Sequence, residues 1–192
     1  MEKRVNRTLE YGNIPFGPYV MRTKIPEDMR KRLLKDGKKD LKSYHKSLAG
    51  HLHTQLRYNE DTTRWFYQES NFIWQAYREG WSKWAGLPNT PCELNAHDLW
   101  VNFMKQAEWN PSHNHTGDIS MVTYLKVPKE ISEENTKEEN VKKSNTPSAG
   151  KIEFIYGEDI GFTKSGFMRQ PREKDLYIFP AKLRHLVYPF KS

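Results

Sequence analysis

Three histidines have the residue type and spacing of a metal site. His113 and His115 stand two residues apart in NPSHNHTGDISMVTYLKVP, and His185 lies in FPAKLRHLVYPF. In extended backbone, residues i and i+2 point to the same side, separated by two strand rises of ~3.3 Å each, so both imidazoles can reach one ion. His185 alternates with Leu183 and Val187, which predicts a ring facing an apolar interior where a neutral imidazole needs a partner.

Two neighbouring imidazoles and one distant imidazole, with coordination positions left open, suit Fe(II), Mn(II), Ni(II) or Zn(II). On the residues alone a second interpretation stays open. In that interpretation His113 and His115 are ordinary loop histidines, and His185 is a core histidine whose hydrogen bonds are satisfied.

Two helices are predicted in the first half of the chain. The first begins near Pro26 and ends near Gly37. The second runs from about Asp61 to Trp84, with Asp61 or Thr62 as its N-cap. Its apolar residues recur at helical spacing and predict a core face that packs against a sheet: Phe66, Ile73, Tyr77, Trp81 and Trp84.

From residue 94 the apolar period changes to that of strands. Five strands are predicted, in LWVNFM, SMVTYLKV, KIEFIYGE, DLYIFP and RHLVYPF. Turn signals separate them: Asn110-Pro111, Thr146-Pro147, Gly161, Gly166 and Pro171. The stretch from Asn110 toward Ile119 is predicted to be a polar turn. Residues 129–150 have almost no apolar content and are predicted to form a flexible insertion.

This order of elements indicates one α+β domain over residues 1–192. Residues 1–93 are mainly helical support, and residues 94–192 form a β-sandwich or jelly-roll core. The single cysteine, Cys92, cannot form an internal disulfide, and no apolar run is long enough for a membrane span. The N-terminal MEKRVNRTLEYG lacks the apolar region of a secretory signal. A cytoplasmic location is therefore expected, in the host cell if the chain is phage-encoded.

The net charge of +7 lies in the N-terminal segment. Residues 1–60 hold 14 Lys/Arg and 7 Asp/Glu, whereas residues 61–192 hold 17 of each. Such an excess can attract a nucleic acid or another polyanion. A solvated helical face is the favoured interpretation, because acidic residues are interspersed and no nucleic-acid motif accompanies the run.

The ordered motifs resemble those of the 2-oxoglutarate/Fe(II)-dependent oxygenases, in particular the short, prolyl-hydroxylase-like members of marine bacteria and their phages. They are WVN at 100–102, NPSHNHTGDIS at 110–120, VTYL at 122–125, GKIEF at 150–154 and YIFPAKLRHLVYPF at 177–190. The resemblance implies a double-stranded β-helix, a cupin-like jelly roll backed by the N-terminal helices. It also implies Fe(II), 2-oxoglutarate as cosubstrate and O₂.

The resemblance assigns His113 and His185 as iron ligands. The family usually has Asp or Glu two residues after the first histidine, and here that position holds His115. His115 is the favoured third ligand, with Asp118 as the alternative if the Thr116–Gly117 turn folds it back. Tyr124 is expected to hydrogen-bond a cosubstrate carboxylate, and Asn102 to line the site. Both are equally open to a role as buried structural polar groups.

One family feature is not found in the printed sequence. The resemblance implies an Arg or Lys about ten residues after the distal histidine, on a last core strand, where it binds the far carboxylate of 2-oxoglutarate. The sequence ends at Ser192. Either the chain is a fragment lacking that strand, or the cosubstrate is held differently. Lys182 and Arg184 are poor substitutes, since Arg184 should point opposite to His185.

Three functional hypotheses follow. The first is a 2-oxoglutarate- and Fe(II)-dependent dioxygenase that hydroxylates a C–H bond of a peptide or small molecule and releases succinate and CO₂. The second is a non-catalytic jelly-roll module that binds metal. The third, not favoured, is nucleic-acid binding by residues 1–60. The substrate and the oligomeric state are left open, and no membrane partner is expected.

Overall fold

The computed structural model of the protein describes residues 17–39, 41–95 and 97–192. Its strands are β1 (Met21–Lys24), β2 (Lys42–Ser43), β3 (Thr54–Arg57), β4 (Trp100–Phe103), β5 (Asn110–His113), β6 (Ile119–Thr123), β7 (Ile152–Ile155), β8 (Gly166–Arg169), β9 (Asp175–Pro180) and β10 (Arg184–Val187). Its α-helices are α1 (Glu27–Asp36), α2 (Glu60–Glu69), α3 (Asn71–Ala85), α4 (Lys129–Glu134) and α5 (Glu138–Lys143), and a 3-10 turn covers His45–Ser47.

The strands form antiparallel sheets, and two of these share a hydrophobic core. One sheet has the order β1-β9-β6, the other has β5-β10-β7-β8, and β2-β3-β4 form a smaller third sheet. The shared core contains Ile152 and Phe154 from β7 and Tyr177 and Phe179 from β9. The mixed α/β architecture with antiparallel sheets agrees with the prediction.

Strand β9 lies between the two clusters of the hydrophobic core and packs against both. All of its residues except the last are buried. Tyr177 and Phe179 face the second sheet, whereas Leu176 and Ile178 pack with Phe66 and the rest of the helical layer. Because successive strand residues point to opposite faces, a strand covered on both faces reads as the continuous apolar run LYIF.

The helical predictions hold in part. Helix α1 has the predicted bounds, but the second predicted helix is two helices that meet at Ser70. The N-cap of α2 is Asn59, whose side chain accepts a hydrogen bond from the Thr62 amide at 2.8 Å, and not Asp61 or Thr62. Ile73 and Tyr77 are buried as predicted, but Trp81 is 40 % exposed and lies outside the core.

The stretch predicted as a polar turn contains strand β5, so that part of the prediction is wrong. Asn110 and Pro111 lie inside β5. Proline lacks the amide hydrogen that a central strand needs, but an edge strand tolerates it, and β5 is at the edge of its sheet. Gly166, predicted as a turn signal, begins β8.

Residues 129–150 contain helical structure that the sequence did not indicate. They include α4 and α5, and Ile131 and Glu134 are buried. The Glu134 carboxylate accepts hydrogen bonds from the backbone amides of Lys191 and Ser192 at 2.9 and 3.1 Å. The flexibility of this insertion stays a prediction, but hydrogen bonds from Lys191 and Ser192 attach the segment to the residues after β10.

Part of the basic N-terminal segment, residues 1–16 and 40, lies outside the described residues. The described helices are all too short or too polar to cross a bilayer.

Candidate metal centre

Strand pairing brings the first and third histidines together. His113 ends β5, and His185 is the second residue of β10. The two are directly opposite each other in the antiparallel β5–β10 pair. Their ring centroids lie 4.3 Å apart. A pair separated by 72 residues in sequence is thus fixed by the register of one strand pair.

The three imidazoles form one compact cluster. Each of His113, His115 and His185 offers a ring nitrogen, and these three atoms lie within 4.8 Å of one another. The Nδ1–H of His113 donates to the Pro111 carbonyl at 2.7 Å, and the Nδ1–H of His185 donates to the Leu183 carbonyl at 3.0 Å. These bonds select the tautomer whose Nε2 carries a free lone pair and is available to a metal.

His115 reaches the cluster from the loop after β5. Its backbone amide donates to the Ala181 carbonyl at 2.8 Å, and its Nε2 lies 3.2 Å from Nε2 of His185. The ring packs against Trp100, with centroids 5.5 Å apart. Asp118 is outside the cluster and exposed, and its backbone carbonyl accepts a hydrogen bond from the Ala181 amide. The geometry therefore brings His115, and not Asp118, to the other two histidines.

Burial keeps two of the imidazoles neutral. Desolvation, with a smaller contribution from the neighbouring His113, lowers the pKa of His115 to about 4. Desolvation likewise lowers the pKa of His185 to about 4, despite its bond to the Leu183 carbonyl. His185 is 5 % exposed and has the Phe179 ring 4.8 Å away. Neutral imidazoles in an apolar pocket are the form that binds a metal ion.

The cluster lies in a cleft of about 2390 Å³ whose walls come from both the sheets and the helices. Tyr124 and Asn102 also line this cleft. The Tyr124 hydroxyl is buried without a hydrogen-bond partner, and burial raises its pKa. Asn102 alternates with Leu99 and Val101, which pack toward the helices, so it lies on the strand face that carries Trp100. Their roles in cosubstrate binding stay predictions.

Arg184, the residue before His185, points away from it, as predicted. Arg184 is exposed and donates from Nε to the Ser112 hydroxyl at 3.2 Å. Lys182 is exposed as well.

Trp100 is a site residue that sequence reasoning missed. It flanks His115, and the sequence showed it only as part of the WVN motif. The signal for Trp100 was present in the alternation of β4, which puts it on the same face as Asn102. The contact between the two sheets places Phe179 beside the ring of His185.

The comparisons with known proteins agree with this site. Residues 98–192 match the model of a family described as "Putative 2OG-Fe(II) oxygenase". This match supports membership of the 2OG-Fe(II) oxygenase superfamily. The matched segment contains all three histidines of the cluster. Searches of curated proteins and of solved structures found no significant match.

The residues present fit the Fe(II) and 2-oxoglutarate that the family implies. Three imidazole nitrogens converge, and two of the rings are held in the metal-binding tautomer by backbone carbonyls. In the same cleft, the buried Tyr124 hydroxyl is an unsatisfied hydrogen-bond donor of the kind that a carboxylate accepts from.

Proposed function

We propose that this protein is a 2-oxoglutarate- and Fe(II)-dependent dioxygenase that hydroxylates a C–H bond of a peptide or small molecule. The observation that carries the proposal is the convergence of three imidazoles in an apolar cleft. In this proposal the two facing sheets are the core of a double-stranded β-helix, with β5 and β10 carrying the ligands.

His113, His115 and His185 would hold Fe(II). When bound, this ion would supply the activation of O₂, coupled to conversion of 2-oxoglutarate into succinate and CO₂. The protein's own contribution is orientation and exclusion of water. The Pro111 and Leu183 carbonyls fix two rings, Trp100 packs on the third, and Phe179 covers His185. Three ligands leave coordination positions for the cosubstrate.

The Tyr124 hydroxyl would donate a hydrogen bond to a carboxylate of 2-oxoglutarate. It is buried, unpartnered and in the same cleft. A ligand carboxylate that accepts from it would remove the desolvation penalty of an unpaired hydroxyl, which is about 1–3 kcal/mol. Asn102, on the Trp100 face of β4, is the proposed polar group on the opposite wall.

The test is 2-oxoglutarate turnover. The protein is loaded with Fe(II) without oxygen, then given O₂, 2-oxoglutarate and a panel of peptides and small metabolites, and succinate is measured. We expect wild type to form succinate and His185→Ala to form none above background. His51→Ala is the matched control, because His51 stacks on Trp109 outside the cluster. Equal succinate from wild type and His185→Ala would refute the proposal.

A second candidate is a metal-binding module without oxygenase activity. The observation that favours it is the donor set, which is three imidazoles and not the two histidines and one carboxylate typical of Fe(II) oxygenases. Calorimetry with Mn(II), followed by 2-oxoglutarate, separates the two. Metal binding without subsequent cosubstrate binding supports the module, whereas sequential binding of both supports the oxygenase.

A further inference from the structure

The cleft contains more unsatisfied polar groups than the metal centre explains. Six buried side-chain nitrogen or oxygen atoms in the described residues lack a hydrogen-bond partner. Four of them belong to residues that line this cleft: Gln55, Arg78, Ser82 and Tyr124. Buried polar groups are nearly always paired in folded proteins, so unpartnered groups that line a cleft are positions where a ligand can supply the partner.

Two of these residues lie on helix α3, one turn apart. Arg78 and Ser82 are four residues apart, so their side chains are neighbours on the helix surface. Gln75 and Asn71 extend the same stripe by one and two turns, and all four line the cleft. Helix α3 therefore turns a polar stripe toward the cleft, while Ile73 and Tyr77 lie in the core.

Arg78 is a cation without a described counter-charge. Its Nε atom is buried and unpartnered, although the side chain as a whole is only half-buried. The Ser82 hydroxyl is also unpartnered, and Ser82 is 4 % exposed. A buried donor without a partner is unfavourable, so an anion that accepts from the Arg78 Nε–H and the Ser82 hydroxyl would satisfy both groups.

We propose that Arg78 and Ser82 form an anion-binding subsite for a carboxylate or phosphate of the ligand that occupies the cleft. A guanidinium suits either group because it presents several donors in a planar fork. The anion belongs either to 2-oxoglutarate or to the primary substrate. The subsite rests on the proposed function only in taking the cleft as the ligand-binding site.

The first experiment uses metal-free protein in EDTA, so that it does not depend on iron chemistry. Succinate and inorganic phosphate are titrated separately at constant ionic strength, and binding is followed by tryptophan fluorescence and thermal shift. The tryptophans Trp74 and Trp81 flank Arg78 on α3 and line the same cleft. We expect wild type to bind at least one of these anions, and Arg78→Met to bind it at least about tenfold more weakly.

Three controls separate a binding role from a structural one. Arg64→Met removes a positive charge from an exposed position of α2 that does not line the cleft, and it should leave anion binding unchanged. Arg78→Met should not lower the ligand-free Tm, because methionine replaces an unpartnered cation with an apolar side chain of similar length. Arg78→Lys, which keeps the charge but not the fork, should retain part of the binding.

The second experiment identifies the source of the anion. Mn(II)-loaded protein is titrated with 2-oxoglutarate and with 2-oxopentanoate, which has the same chain length but lacks the far carboxylate. If Arg78→Met reduces the preference for 2-oxoglutarate about tenfold, the anion is the far carboxylate of the cosubstrate. If the preference is unchanged while anion binding in EDTA is lost, the anion belongs to the primary substrate.

Two results would overturn the subsite. One is the absence of binding of either anion by metal-free wild type, and the other is equal binding by wild type and Arg78→Met. Neither result bears on the metal centre, and a failure of succinate formation would not affect the measurements in EDTA.

Discussion

At the scale of single residues, the imidazole in the position usually held by a carboxylate is the decisive feature of the site. His115 lies with the other two histidines, whereas Asp118 is exposed and outside the cluster. We expect His115→Ala to weaken Mn(II) binding by at least about tenfold, and Asp118→Ala to leave it unchanged, in calorimetry at pH 7.5. His115→Asp should retain binding, because it restores the carboxylate typical of such sites.

The opposite result would reassign the third ligand. If Asp118→Ala loses the metal and His115→Ala keeps it, the loop must rearrange on metal binding so that the carboxylate folds back. Equal binding by all the variants would place the metal away from this cluster.

Two buried tyrosines provide a matched pair for testing cosubstrate binding. The hydroxyls of Tyr124 and Tyr177 are both buried without a partner, but only Tyr124 lines the cleft. Tyr124→Phe should weaken 2-oxoglutarate binding to Mn(II)-loaded protein by about tenfold, and Tyr177→Phe should not change it. Tyr124→Phe should not lower the ligand-free Tm, since it removes an unsatisfied hydroxyl. A loss of cosubstrate affinity in Tyr177→Phe alone would contradict the role given to Tyr124.

At the scale of secondary structure, one arginine joins helix α1 to the sheet. Arg30 donates to the Leu125 carbonyl at 2.8 Å, just after β6, and pairs with Glu173 at 3.0 Å, just before β9. Glu27 also contacts Arg30, at 2.8 Å, and Lys174, at 3.2 Å. This network fixes the helical layer to the two strands that border the cleft.

The network predicts a pH-dependent stability effect. The hydrogen bond from Arg30 lowers the pKa of Glu27 from 4.5 to about 2, with Lys174 adding to the effect. A lowered folded-state pKa contributes stability above pH 4.5 that is lost as the pH falls toward 2. Glu27→Gln should therefore lower the Tm by a few degrees at most at pH 7, since the group is exposed. Scanning calorimetry should show this difference shrinking below pH 4.5. A Tm difference between wild type and Glu27→Gln that stays constant down to pH 2.5 would contradict this role of Glu27.

Strands with a buried, alternating pattern were predictable from the sequence, and strands defined by pairing alone were not. Strand β9 was evident from LYIF because both its faces are covered. Strands β1 (MRTK) and β3 (TQLR) hold one apolar residue each, so no apolar alternation marks them, and β8 begins at Gly166, which reads as a turn. Strand β5 was hidden by Pro111, which reads as a turn but is acceptable at a sheet edge.

The residues of the candidate site also differ in whether the sequence alone predicts them. The histidine cluster was predictable because motif spacing and family resemblance point to the same three residues. Arg78 was not, because an arginine on an amphipathic helix reads as a solvated residue. Its significance depends on the missing partner and the cleft, which exist only in the folded chain.

At the scale of the whole molecule, a metal ion would join parts of the fold that the chain connects only distantly. His113 and His185 belong to neighbouring strands of one sheet, and His115 belongs to the loop that contacts Ala181. Since a metal-binding site of this kind exists only in the folded state, the ion must stabilise folding by linkage. At a free Mn(II) concentration of one hundred times Kd, the gain is about 2.7 kcal/mol.

This linkage gives a global test of the centre that needs no substrate. For a chain of this length, such a gain raises the Tm by roughly 5–10 °C. Differential scanning calorimetry should show this rise for wild type and for His51→Ala, and no rise for His185→Ala. The ligand-free Tm of His185→Ala shows whether the variant is folded. A rise of equal size in the folded His185→Ala variant would mean that Mn(II) stabilises the protein elsewhere, and that the three imidazoles are not the metal centre.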